Sequence, residues 1–133
     1  MPATRGDGPD ATSVLAAALD AARGGGADEA SARIEEIRTQ VLVLRDGVPE
    51  TTLDRTQRGL GVRVVADGST GFAATVERSN DAAADAARGA VEGARLVAGA
   101  RSARFELVAE PGHGDVVHTS TYRVDPTEVP LEE

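Results

Sequence analysis

The chain has 133 residues, a net charge of −8 and a pI of about 4.7, and all 14 of its basic residues are arginine. Scattered singly along an acidic chain, those arginines form no basic stripe of the kind phosphate neutralisation needs, which excludes nucleic acid as a partner. With no cysteine there is neither a disulfide framework nor thiolate chemistry, and no apolar run approaches the ~20 residues of a membrane span.

Residues 1–12, with glycines, prolines and polar side chains, are expected to be a disordered lead. Asp10 is placed to cap a first helix, in which Leu15, Ala18, Leu19 and Ala22 fall at i, i+3, i+4 and i+7 as one apolar stripe. Gly24-Gly25-Gly26 ends it, because glycine takes the left-handed conformation freely. Ala27 to Arg45 is expected as one long or bulged strand: Thr39 to Leu44 is rich in β-formers and Asp46-Gly47 follows as a turn. The slip between Ile34 and Ile37 marks the bulge or break. Val48 to Leu53 returns as a more polar strand, put at an edge or started late by Pro49, and Asp54 to Arg58 is a charged connection.

The chain is organised around Gly59 to Val76, which reads as a β-hairpin. Leu60, Val62, Val64 and Ala66 alternate with Gly61, Arg63 and Val65, the period of a strand with one better-buried face. Asp67-Gly68-Ser69-Thr70 is turn chemistry, after which Phe72, Ala74 and Val76 share one face and Gly71, Ala73 and Thr75 the other. Ser79-Asn80-Asp81 caps a second helix whose buried stripe is Ala87, Ala90, Val91, Ala94, Val97 and Ala98. Gly89 and Gly93, four apart in that helix, either admit another backbone or are tolerated on a wet face. Phe105 to Ala109 is a short strand candidate, Glu110 to Asp115 a loop, and the rest of the tail is extended. Its final Pro-Leu-Glu-Glu resembles the first turn of a further helix, as if more chain should follow.

These elements amount to an α+β domain: a mostly antiparallel sheet of about four strands with two helices on one face. Hydrophobic residues make up 41%, but much of that is alanine and only Phe72, Phe105 and Tyr122 are aromatic, so burial stabilises the domain modestly at about 25 cal/mol per Å². With no signal-like N-terminus, a cytoplasmic protein is the expectation.

Chemistry is scarce. His113 and His118 are five apart with Gly112 and Gly114 beside them, whereas a zinc helix wants His at i and i+4 with an intervening Glu. Gly59-x-Gly61 precedes a strand rather than the helix a dinucleotide fingerprint opens. Ser69 has no histidine near it in sequence, and Glu35-Glu36 point to opposite faces of a strand, so neither a nucleophile nor a shared-proton dyad follows. Catalytic and metal residues are therefore expected to be absent. Arg63 stands out among apolar neighbours: it can capture a carboxylate or backbone carbonyl, or simply pair with a nearby acid. Arg63, Gly71 and Phe72 are the residues expected to meet a peptide or partner.

The order of several short motifs resembles a known family. Gly-Ala-Asp at 26–28, Leu-Arg-Asp-Gly at 44–47, Arg-Gly-Leu-Gly-Val-Arg-Val at 58–64, Asp-Gly-x-x-Gly-Phe-Ala-Ala-Thr at 67–75 and Tyr-Arg-Val-Asp-Pro-x-Glu-Val-Pro-Leu-Glu-Glu at 122–133 follow one another as in the N-terminal domain of the TldD/PmbA metallopeptidases, formerly called modulators of DNA gyrase. The resemblance implies a domain over residues 13–110 and a linker over 111–133 towards a downstream catalytic domain. It also implies zinc held there on a His-Glu-x-x-x-His helix, peptide substrates, and homo- or heterodimers with a TldD/PmbA-type chain. This chain carries no such zinc motif, so the expected role is substrate entrance and subunit contact, without a cofactor of its own. The alternative is a stand-alone, non-catalytic module that pairs with a full-length relative and regulates it.

Overall fold

Two Asp-Gly dipeptides turn the chain back on itself. Asp46 and Gly47 have φ of 51° and 79°, and Asp67 and Gly68 have 51° and 69°. Two successive left-handed residues make the two-residue turn whose twist matches that of paired strands, and Asp and Gly accept that conformation cheaply. The structure, a computed structural model describing residues 10–108 and 110–130, accordingly has three strands in one antiparallel sheet: β1 (Glu29–Arg45), β2 (Val48–Ala66) and β3 (Ser69–Thr75), in the order β1-β2-β3.

The count is three rather than about four because Val48–Leu53 and Leu60–Ala66 belong to the same strand. Residues 54–58 continue it instead of connecting two strands. Their polar side chains find partners on β1: Gln40 Nε2 donates to Asp54 Oδ2 at 3.0 Å, and Arg58 Nε donates to Glu36 Oε2 at 2.7 Å. β3 pairs only with Leu60–Ala66, so at Pro49 one side of β2 is free and a missing N–H is tolerated. β1 runs unbroken past Ile34 and Ile37.

The helices are α1 (Ala11–Gly24) and α2 (Asn80–Ala100), packed together and against one sheet face. Val14, Ala18 and Ala22 are buried on α1, with Leu15 only partly so; the stripe is turned by a residue from the expected one. Asp10 sits at the N-cap without a side-chain cap bond, whereas Ser79 caps α2 by accepting from the Ala82 N–H at 3.1 Å. On α2 the buried side chains are Ala83, Ala87, Ala90, Val91, Ala94 and Ala98, while Val97 is 40% exposed. All of these but Ala98 meet Leu60, Val62, Val64 and Ala66 of β2 in one cluster.

The closest approach in this core is made by Gly71. A Cβ there would lie 1.9 Å from the Ala90 carbonyl oxygen and 2.8 Å from the Ala94 nitrogen. The helical glycines make no such approach: a Cβ on Gly89 would meet only the Ala73 methyl, at 3.9 Å, and one on Gly93 nothing within 4 Å.

Contacts divide the chain into two units, residues up to Arg38 with Thr56–Glu106, and Thr39–Arg55 with Leu107–Glu133. In the first, the expected strand at Phe105 reduces to one bond, from the Phe105 N–H to the Gly68 carbonyl at 3.2 Å. In the second, the ribbon carries Val41, Leu42, Val43, Leu44, Val48 and Leu53, all exposed. The tail has no helix or strand among its described residues, but Asp125 folds a turn by accepting from the Thr127 N–H at 2.8 Å and hydroxyl at 2.7 Å. The Tyr122 hydroxyl donates to Asp125, whose charge raises the phenol's pKa. Most of the expected disordered lead (residues 1–9), Ala109, and the end of the expected helical turn (131–133) lie outside the described residues; α1 is already formed at Ala11.

Two consequences for stability follow, both readable by urea titration. Gly71→Ala drives a methyl into helix backbone and costs about 3 kcal/mol, whereas Gly93→Ala stabilises by up to about 1 kcal/mol. Ser69 is 1% exposed and its hydroxyl has no partner among the described residues, so Ser69→Ala is neutral or stabilises by about 1 kcal/mol.

Candidate functional groove

Strand alternation assigns the two sheet faces. In the β2–β3 register Val62 opposes Ala73, Val64 opposes Gly71 and Ala66 opposes Ser69, all on the helix-covered side. The intervening pairs, Gly61 with Ala74 and Arg63 with Phe72, stand on the other side, which no helix covers. β1 contributes Ser31, Arg33, Glu35 and Ile37 to that face. Together they line a groove of about 810 Å³, within the size range of ligand sites.

Its floor is low because Gly59 and Gly61 give the central strand two positions without side chains. Phe72, 68% exposed, reaches diagonally over Gly61, so that a Cβ there would stand 3.2 Å from the ring. An aromatic covering a cross-strand glycine shields exposed backbone and keeps the strand register. With Ala74, Val76 and Ile37 it makes much of the wall apolar.

The charged residues are unevenly matched. Arg33 pairs with Glu35. Arg58 forks onto Glu36, through Nε at 2.7 Å and Nη2 at 3.4 Å. The Arg63 side chain makes no hydrogen bond or ion pair with any described residue. Both acids near the groove are thus committed, and one guanidinium with five donors stands ready for an acceptor from outside.

Of the three residues singled out in the sequence, the structure brings Arg63 and Phe72 together as cross-strand partners on the open face. Gly71 lies on the other face, against α2. Arg33, Glu35 and Gly61 were not singled out, although strand parity carried the signal: they alternate in step with Arg63. Among the described residues no three His, Asp or Glu side chains converge to hold a metal ion. His113 and His118 are exposed in the tail. The described residues therefore offer no ligand set that fits the zinc of a metallopeptidase.

Residues 30–94 match the family model described as PmbA/TldA metallopeptidase domain 1. That span takes in all but the first residue of the sheet, which builds the groove, and most of α2. Over that span the chain is identified as the N-terminal first domain of the PmbA/TldD metallopeptidase family. Among solved structures, the chain is similar to TldE from Thermococcus kodakarensis, with 20% sequence identity and a TM-score of 0.49. That match covers 79% of this chain and 23% of the other, so the chain spans less than a quarter of its length. No curated protein matches the chain.

The lid that Phe72 forms over Gly61 is testable by NMR. The Gly61 α-protons, lying beside the Cε2–Cζ edge of the ring, are expected to be displaced from their ordinary position by its ring current and to return to it in Phe72→Leu. An unshifted Gly61 resonance in the wild-type chain would place the ring elsewhere.

Proposed function

We propose that this domain admits and holds extended peptide for a TldD/PmbA-type zinc peptidase, and contributes to subunit contact, while the catalytic groups belong to another segment. The observation that carries the reading is the helix-free sheet face, with its glycine-floored groove. Among the described residues no further strand pairs with the outer edges of β1 and β3. An extended peptide that adds to an edge gains main-chain hydrogen bonds whatever its sequence, and adjoining pockets for alternate side chains supply selectivity. Arg63 and Phe72 are the side chains we assign to that contact, with Gly71 supporting it from behind by seating β3 on α2. Subunit contact is supported by the ribbon, whose exposed Val41, Leu42, Val43 and Leu44 put apolar side chains on both of its faces. Water disfavours such a ribbon, and burial on both faces is the usual setting of such a run.

Hydrogen exchange with an unstructured peptide tests the reading. Amides of Ser69–Thr75 or of the inner half of β1 are expected to gain protection, and a backbone N-methylated version of the peptide, which lacks the donors, to confer none. The chain alone is expected neither to bind stoichiometric zinc nor to cleave the peptide; turnover by it unaided would overturn the assignment.

A further inference from the structure

Resting on that peptide-holding role, the geometry points to a recognised chemical group: we infer that the groove selects peptides presenting a carboxylate, captured by Arg63 beside the Phe72 ring. Charge complementarity argues for it. The protein as a whole carries −8, so generalised attraction does not bring an anion to its surface. Within the groove the balance is reversed: Arg33, Arg58 and Arg63 line it against a single acid, Glu35. Glu35 is held by Arg33, and the Arg58 guanidinium by Glu36 just outside the lining. Of these three arginines only Arg63 has no partner among the described residues, so a carboxylate docks there without displacing an internal partner.

The surroundings raise the value of that contact. Phe72 stands directly across the strand from Arg63, and Gly61, two residues away, leaves room in front of it. A planar guanidinium donates two parallel N–H···O bonds to a carboxylate, and the apolar wall beside it takes the aliphatic part of the peptide. Two sources present this chemistry in an extended peptide, a free C-terminus and an Asp or Glu side chain.

The test uses three unlabelled, N-acetylated nine-residue peptides of Ser, Thr and Val, titrated into the full chain by isothermal calorimetry at low salt. One has a central Glu and an amidated C-terminus, one a central Gln and a free C-terminus, and one a central Gln with an amidated C-terminus. At least one of the two carboxylate peptides is expected to bind about tenfold or more tighter than the neutral one, and which does so identifies the source. Arg63→Gln abolishes the difference, Arg63→Lys restores part of it, and both fold normally because the side chain is exposed. Equal affinity for all three peptides, or a preference that survives Arg63→Gln, overturns the carboxylate inference and leaves peptide holding intact. Binding of none of them overturns both.

Discussion

The contact on which the rest of this domain depends is backbone against backbone. At Gly71 the strand comes so near the Ala90–Ala94 turn of α2 that no side chain fits between them. Close approach is what a core of this composition requires. Its buried members are mostly alanine and valine, with Leu60 the largest, and such side chains fill the interior to native density only if the layers sit near one another. A helix held further off would leave voids that alanine cannot fill.

The same contact fixes the working face. Seating β3 on α2 by way of Gly71 commits Val64, Ala66 and Ser69 to the covered side, and the strict alternation of a strand then commits Arg63, Phe72 and Gly61 to the open one. A slip of one residue would bury Arg63 against alanine, at the cost of an unpaired charge in a dry core. Register is therefore protected twice, by the tight turn at Asp67-Gly68 and by the penalty for error. The groove inherits its geometry from this pairing.

Much of this was legible from residues alone. The hairpin, its two faces, both helices and the Ser79 cap follow from period and turn chemistry. The pairing of Arg63 with Phe72 was within reach as well: a two-residue turn at Asp67-Gly68 sets Ala66 opposite Ser69 and hence Arg63 opposite Phe72, whereas a four-residue turn obscures it. The continuity of β2 was not legible, because Asp54 to Arg58 is a loop-like composition whose side chains are satisfied by Gln40 and Glu36, partners far off in sequence. Nor was the role of the glycines: Gly89 and Gly93 carry the spacing of a close-packing motif and make no close contact, while Gly71 carries no motif and makes it. Spacing states which face a glycine occupies; only the opposing element states whether anything comes near.

The availability of Arg63 is likewise a property of the whole sheet rather than of its neighbourhood in sequence. The acids nearest Arg63 along the chain include Asp54 and Asp67; Asp54 accepts from Gln40, and Asp67 lies 3.6 Å from Arg95 on α2. Glu35, which shares its side of the sheet, answers to Arg33, and its neighbour Glu36 to Arg58. Each of these exposed pairs stabilises little by itself, under about 1 kcal/mol, but together they occupy the carboxylates that would otherwise neutralise the groove. Folding leaves Arg63 without an internal acid by committing Glu35 to Arg33, on the sheet face that the described helices leave open.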